Sequence, residues 1–223
     1  MIPLTPHGKR EMFFGSLILV AIGAALGAWH WQLTLLVIPV LVWLFAFFRD
    51  PNRAVPTDPA TMVSPADGMV SDITEIENDP LIGGPAIRVG IFLSVFNVHV
   101  NRTPCDGVVV NVIYKKGKFI NAMSHSKASD ENESNTIIIR EPNGQRNIAV
   151  VKQIVGLIAR RIICTVKTGD KLSRGDRFGM IKFGSRTELT IPQWMNPTIK
   201  VKVGDKVRGT LDIIATLGNP AGN

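Results

Sequence analysis

The uneven distribution of apolar residues along the chain constrains the fold more than any other feature. Met12–Ala28 and Leu33–Phe48 are two nearly charge-free runs, separated by Trp29-His30-Trp31-Gln32. As helices they would each be about 25 Å long at roughly 1.5 Å per residue, slightly short of a hydrocarbon core of ~30 Å. They read as a helical hairpin that either spans a bilayer with some local thinning or lies in its interface. The paired Trp residues suit an interfacial belt in both cases. A cleaved signal peptide fits poorly, because the run is doubled and no small-residue cleavage site follows it. A hairpin buried inside a soluble protein would need a large core around it, and the rest of the chain is small and rich in strand patterns.

Charge gives the hairpin an orientation. Lys9, Arg10, Arg49 and Arg53 lie outside the apolar runs at both distal ends. The positive-inside rule therefore places both ends on the cytoplasmic side of a cell membrane. Of the net charge of +7, only +1 falls in residues 1–50 and the remaining +6 in residues 51–223. A basic surface of this kind suits anionic lipid headgroups. Nucleic acid would use the same charge, but no nucleic-acid fold signature or interleaved aromatics accompany it, so no nucleic-acid partner is expected.

The domain plan is a hairpin over residues 1–50, a Pro-punctuated linker over 51–61 and a β-rich domain over 62–223. In the last part short apolar runs alternate with Gly, Pro, Asn and Asp. Strands are expected at Met69–Ile76, Ala86–Phe92, Gly107–Tyr114, Thr136–Arg140, Ile148–Val155, Ile162–Val166, Arg177–Lys182, Glu188–Ile191 and Leu211–Ala215. Ser94–Val100 reads as a turn or short helix, and the polar stretch His125–Asn135 as a mobile loop. Val166-Lys167-Thr168-Gly169-Asp170-Lys171-Leu172 is echoed by Val201-Lys202-Val203-Gly204-Asp205-Lys206-Val207. Such strand–turn units occur in compact, quasi-symmetric β-sandwiches. The expected fold class is thus mainly β, a barrel-sandwich-like domain carrying an N-terminal hydrophobic hairpin. Cys105 and Cys164 lack CxxC spacing; they read as two free thiols, with one disulfide left open.

Three segments could carry chemistry. In Ser64-Pro65-Ala66-Asp67-Gly68, Asp67 sits between a turn and a strand, a position an Asp often fills for turn chemistry alone. In Phe96-Asn97-Val98-His99-Val100-Asn101-Arg102-Thr103-Pro104, His99 is the one histidine embedded in the apolar pattern of the β domain. In Lys182-Phe183-Gly184-Ser185, the Gly-Ser pair is an ordinary turn dipeptide. It is also what backbone self-cleavage needs: a residue without Cβ at the scissile carbonyl, followed by a hydroxyl that can attack it.

These segments, with Glu131-Asn132-Glu133 and the Phe47-Phe48-Arg49-Asp50-Pro51 junction, occur in the order and spacing found in phosphatidylserine decarboxylases. The chain resembles the short class of that family over essentially its whole length. The resemblance implies autocatalytic serinolysis between Gly184 and Ser185. The products are a chain of residues 1–184 and a chain of residues 185–223, held together as a heterodimer, with a higher oligomer left open. Ser185 becomes a pyruvoyl group, the only cofactor implied; no metal is needed. Its carbonyl engages the amine of phosphatidylserine, or of a related serine phospholipid, and acts as electron sink while carbon dioxide leaves, giving phosphatidylethanolamine. By the same resemblance Asp67 and His99 activate Ser185, in the manner of a hydrolase triad. The chain departs from the family pattern at Arg102, where some members carry a second His. Arg102 and its neighbour Asn101 are then candidates for binding substrate, since a guanidinium fork suits phosphate or carboxylate. His99 serves self-cleavage, decarboxylation, or both.

Two other classes compete. A membrane-tethered carrier or adaptor would present Lys182 near a hairpin, but Gly-Ser-Arg follows where Met flanks are expected. A zinc peptidase would need clustered His and Asp ligands, and His99-Val100-Asn101 breaks a His-x-His pair.

Overall fold

The computed structural model describes residues 3–120, 129–157, 161–182 and 184–218. The chain divides into two compact units, Met1–Asn52 and Arg53–Asn223.

In the first unit a 3-10 turn at Pro6–Gly8 leads into α1 (Lys9–Trp29), and a second 3-10 stretch (Trp31–Leu36) leads into α2 (Val37–Phe47). The second apolar run is therefore only partly α-helical. Pro39 has no N–H to give to the carbonyl four residues back, so it sits in the first turn of α2, where that donor is not needed. Pro6–Trp29 is long and apolar enough to cross a bilayer, whereas the helical stretch Trp31–Phe47 is apolar but shorter. Phe13, Leu17, Ile18 and Val20 on α1 are exposed. An antiparallel bridge between Leu4 and Arg49 closes the base of the hairpin, and Thr34 Oγ1 donates to the Gly23 carbonyl at its tip, 3.1 Å away.

The second unit is mainly β, as expected. Its strands are β1 (Thr61–Val63), β2 (Gly68–Asp79), β3 (Gly84–Leu93), β4 (Val100–Arg102), β5 (Gly107–Lys115), β6 (Ser134–Arg140), β7 (Asn147–Val155), β8 (Ile162–Cys164), β9 (Lys171–Leu172), β10 (Arg177–Ile181), β11 (Ser185–Pro192), β12 (Pro197–Ile199), β13 (Lys206–Val207) and β14 (Ile213–Leu217). One curled antiparallel sheet of eight strands runs β13-β2-β3-β11-β7-β6-β5-β9, and two three-stranded pieces run β1-β14-β12 and β4-β10-β8. All three sheets share one core. Met62, Phe178 and Ile214 from the small sheets pack with Val89, Ile91, Ile137, Val151 and Leu189 of the large one. Ser94–Asn97 is a turn, with Asn97 N–H on the Ser94 carbonyl. Val100 belongs to β4 rather than to that turn.

The echo in the sequence is a structural repeat, and it is larger than the sequence suggests. Asp170 and Asp205 each cap their own turn, accepting from Lys167 and Lys202 N–H at 2.9 Å. Gly169 and Gly204 N–H then donate to the Val109 and Val70 carbonyls. Upstream, Ser64-Pro65-Ala66-Asp67-Gly68 has a counterpart in Thr103-Pro104-Cys105-Asp106-Gly107. Ser64 Oγ and Thr103 Oγ1 bond the carbonyls of Ala66 and Cys105. Asp67 and Asp106 accept backbone N–H groups of Gly209 and Arg174 at 2.8 and 2.7 Å. Two copies of one strand–turn unit thus close the two ends of the large sheet.

Candidate active site

Ser185 is the first residue of β11. It lies between Leu93 of β3 and Val155 of β7 in the sheet register. Alternation along a strand turns Ser185, Thr187, Leu189 and Ile191 to the core and Arg186, Glu188 and Thr190 to the opposite face. Ser185 is fully buried, and its hydroxyl has no hydrogen-bond partner among the described residues. Buried polar atoms are nearly always paired, so such an exception calls for a cause. Gly184 holds φ at +61°, in the left-handed region that side chains avoid. Phe183 of the same segment lies outside the described residues.

His99 reaches this end of the sheet through β4 and β10. Its carbonyl accepts Ile181 N–H at 3.3 Å, and Ile181 packs on Val155, the ladder neighbour of Ser185. The ring is buried, with Nδ1 3.0 Å from the Asn97 carbonyl oxygen. A carbonyl can only accept, so Nδ1 carries a proton, which in the neutral tautomer leaves the lone pair on Nε2. That tautomer suits a base.

Asn101, two residues on, gives its amide to the core. Its Nδ2 donates to Thr187 Oγ1 at 3.0 Å, and its Oδ1 accepts from Gln153 at 2.9 Å. Gln153 in turn accepts from Asn135 at 3.0 Å. This chain of amides ties the His99 strand to the Ser185 strand. Arg102 is buried on the other side of β4, with Nη1 3.3 Å from the Gly175 carbonyl.

The Glu131–Glu133 segment meets the same point. Asn132 Nδ2 bonds the carbonyls of Ile120 and Val155, each at 2.8 Å, and Val155 N–H donates to the Glu133 carbonyl. Ser129–Asn135, expected as part of a loop, is therefore stitched to the strand beside Ser185; residues 121–128, including His125, lie outside the described residues.

Asp67 is held differently from the triad pattern. Arg53 grips both its oxygens, at 2.5 and 2.8 Å, and the Gly209 N–H takes Oδ1 as well. Among the described residues no hydrogen bond joins Asp67 to His99. Asp67 lines a cleft of about 690 Å³ together with Met69, Phe92, Ser94, Phe96 and Lys206.

On the outer face Arg186 is completely buried. Its guanidinium meets Asp72 at 2.7 Å, Glu188 at 2.9 Å and Ser71 Oγ at 2.5 Å. Burial opposes its charge, but Asp72 and Glu188 outweigh this and raise its pKa above the usual arginine value. Gly90 makes the room, since a Cβ there would run into the guanidinium. Nearby Lys152 has its pKa lowered, chiefly by burial, against the attraction of Glu188. As partners within the site, Arg53, Asp72 and Glu188 escaped sequence reading, because the residues they bind are remote in the chain or masked by strand alternation. Cys105 and Cys164 are free thiols.

The molecule is thus a two-copy β-sandwich that buries both an unpaired serine hydroxyl and a histidine ring. A family model described as phosphatidylserine decarboxylase matches residues 41–215. A phosphatidylserine decarboxylase proenzyme of Ralstonia nicotianae is 44% identical over 200 residues, 90% of this chain and 88% of that protein. The proenzyme of Solidesulfovibrio magneticus is 48% identical over 174 residues, 78% of each chain. That of Carboxydothermus hydrogenoformans is 43% identical over 202 residues, 90% of each. The chain belongs to the phosphatidylserine decarboxylase family, which sets aside the carrier and peptidase readings.

Proposed function

We propose that this chain cuts itself between Gly184 and Ser185 and then decarboxylates phosphatidylserine, or a closely related serine lipid, to the ethanolamine lipid. The observation that carries the reading is the buried, unpartnered Ser185 Oγ one peptide bond after a left-handed glycine. A hydroxyl without a partner keeps its lone pairs for attack, and a serine in this setting is a fit precursor for a pyruvoyl group.

Self-cleavage begins when His99 Nε2 takes the Ser185 proton and Oγ adds to the Gly184 carbonyl carbon. The C–N bond breaks and the acyl group rests on Oγ as an ester, with the nitrogen protonated. Loss of the Ser185 α-proton expels the carboxylate of Gly184, leaving dehydroalanine at 185. Its enamine tautomerises, and water replaces the nitrogen as ammonia leaves. The resulting pyruvoyl group supplies the electron sink for decarboxylation. His99 is the candidate to return a proton to the substrate carbon. The amide chain through Asn101 holds β4 against β11 during both reactions, and Arg102 supports it from the other side. Arg53 and the Gly209 N–H fix the carboxylate of Asp67, the residue proposed to orient His99. The apolar hairpin anchors the enzyme at the cell membrane with the catalytic unit on the cytoplasmic side, a reading supported by Lys9, Arg10, Arg49 and Arg53. Residues 1–184 and 185–223 stay together as a heterodimer, because β11 is paired on both sides by strands of the longer chain.

Denaturing gels and carbon dioxide release test the scheme. Wild type should run as two chains and decarboxylate phosphatidylserine. His99→Ala should remain largely uncleaved. Full cleavage of His99→Ala without decarboxylation would confine His99 to the second reaction, and an uncleaved but active wild type would end the proposal.

A further inference from the structure

The cleft beside the site carries a charge and shape that its neighbours leave unused. It is bounded by β2, β3, β13 and the Ser94–Asn97 turn, and its lining includes Lys206, Arg208, Asp67 and Asp212. Asp67 is neutralised by Arg53. Asp212 is bound by the Arg208 guanidinium at 3.2 Å and by its backbone N–H at 2.6 Å. Lys206 makes no ion pair among the described residues, so the cleft is left with one net positive charge. Its lip is apolar: Phe96 is 71% exposed and Met69 40% exposed. A large aromatic exposed beside an uncompensated cation matches an amphiphile with a single negative charge.

The cleft and Ser185 share one end of the large sheet. Phe92 and Ser94 line the cleft, and Leu93 between them is the ladder partner of Ser185. Lys206, Met69, Phe92 and Arg186 form one continuous cross-strand row. Three ladder steps of about 4.8 Å put the Lys206 Cα roughly 14 Å from that of Arg186. This row lies on the face opposite the Ser185 side chain, and the link to the site runs through Asn97, which lines the cleft and whose carbonyl is 3.0 Å from His99 Nδ1.

We propose that this cleft is the subsite for the substrate's phosphodiester, with Lys206 as its cation and Met69 and Phe96 receiving the glycerol end of the acyl chains. The inference rests on the decarboxylase reading and adds the residues that recognise the lipid. Lys206 binds substrate and takes no part in self-cleavage.

The test uses the full-length enzyme in nonionic detergent micelles containing phosphatidylserine. Lys206→Ala should cleave itself as wild type does, keep kcat within about twofold and raise KM about tenfold, the scale of one lost hydrogen bond to a charged group. Lys206→Arg should restore KM. Glycerophosphoethanolamine should inhibit wild type and lose its effect on Lys206→Ala, while inorganic phosphate at the same concentration should not inhibit. Phe96→Ser should raise KM for the lipid without changing inhibition by glycerophosphoethanolamine. An unchanged KM in Lys206→Ala, or equal inhibition by inorganic phosphate, overturns the subsite while the decarboxylase reading stands. A wild type that neither cleaves nor releases carbon dioxide sinks that reading instead.

Discussion

A buried hydroxyl without a partner costs on the order of 1–3 kcal/mol, and Ser185 bears that cost in the uncleaved chain. Ser185→Ala should therefore stay as one inactive chain and be at least as stable to urea as an uncleaved control that keeps the serine, such as His99→Ala. A loss of more than about 1 kcal/mol would mean that the hydroxyl has a structural partner. Cys105 offers a pH test. Burial first, and then the charge of Asp106, push its thiol up from 9.0 to about 12. The unfolded chain then releases this proton between pH 9 and 12 while the folded chain holds it. This contribution is present below pH 9 and falls by about 1.4 kcal/mol per pH unit through that window. Cys105→Ala should be less stable at pH 7, from lost packing, but its stability should fall less steeply from pH 9 upward. Parallel unfolding curves across that range would contradict the burial.

At the scale of elements, β11 carries the proposed chemistry of Ser185 on one face and its anchor on the other. Arg186, the second residue after the proposed scissile bond, is locked by Asp72 and Glu188. Arg186→Met in a Ser185→Ala background should cost about 3 kcal/mol in urea unfolding, because it leaves the buried Glu188 and the half-buried Asp72 without their cation. A cost under about 1 kcal/mol would mean that water reaches them. This network also explains what the sequence hid. Glu188–Ile191 reads as a strand because its apolar alternation is plain, whereas Ser185-Arg186-Thr187 reads as a turn. Arg186 is tolerated in the sheet through Glu188 and through Asp72, a partner 114 residues away. The longer strands around it were legible from their apolar runs. The short β1, β4, β9, β12 and β13 were not, since runs of two or three residues are defined by the partners they meet. Likewise Asp67 and His99 stood out by residue type, but the grip of Arg53 on Asp67 appears only once the chain is folded.

Across the whole molecule, two copies of one strand–turn unit build the catalytic unit, and only one copy borders the cleft. Asp67 and Asp106 occupy equivalent turns, yet among the described residues Asp67 alone of the two carries an arginine ion pair, and it lines the cleft. Removing the Arg53 partner should thus affect the enzyme through Asp67. Arg53→Ala should alter the rate of chain cleavage followed on gels, and an unchanged rate would separate Asp67 from the reaction. The apolar hairpin and the basic charge of residues 51–223 both suit a lipid substrate. Intact-mass measurement of the purified native protein tests the central claim most directly. The account predicts two species, one ending at Gly184 and one covering residues 185–223 that is lighter by one ammonia than simple hydrolysis would leave. A single fully active species of 24.4 kDa with an unmodified Ser185 would contradict it.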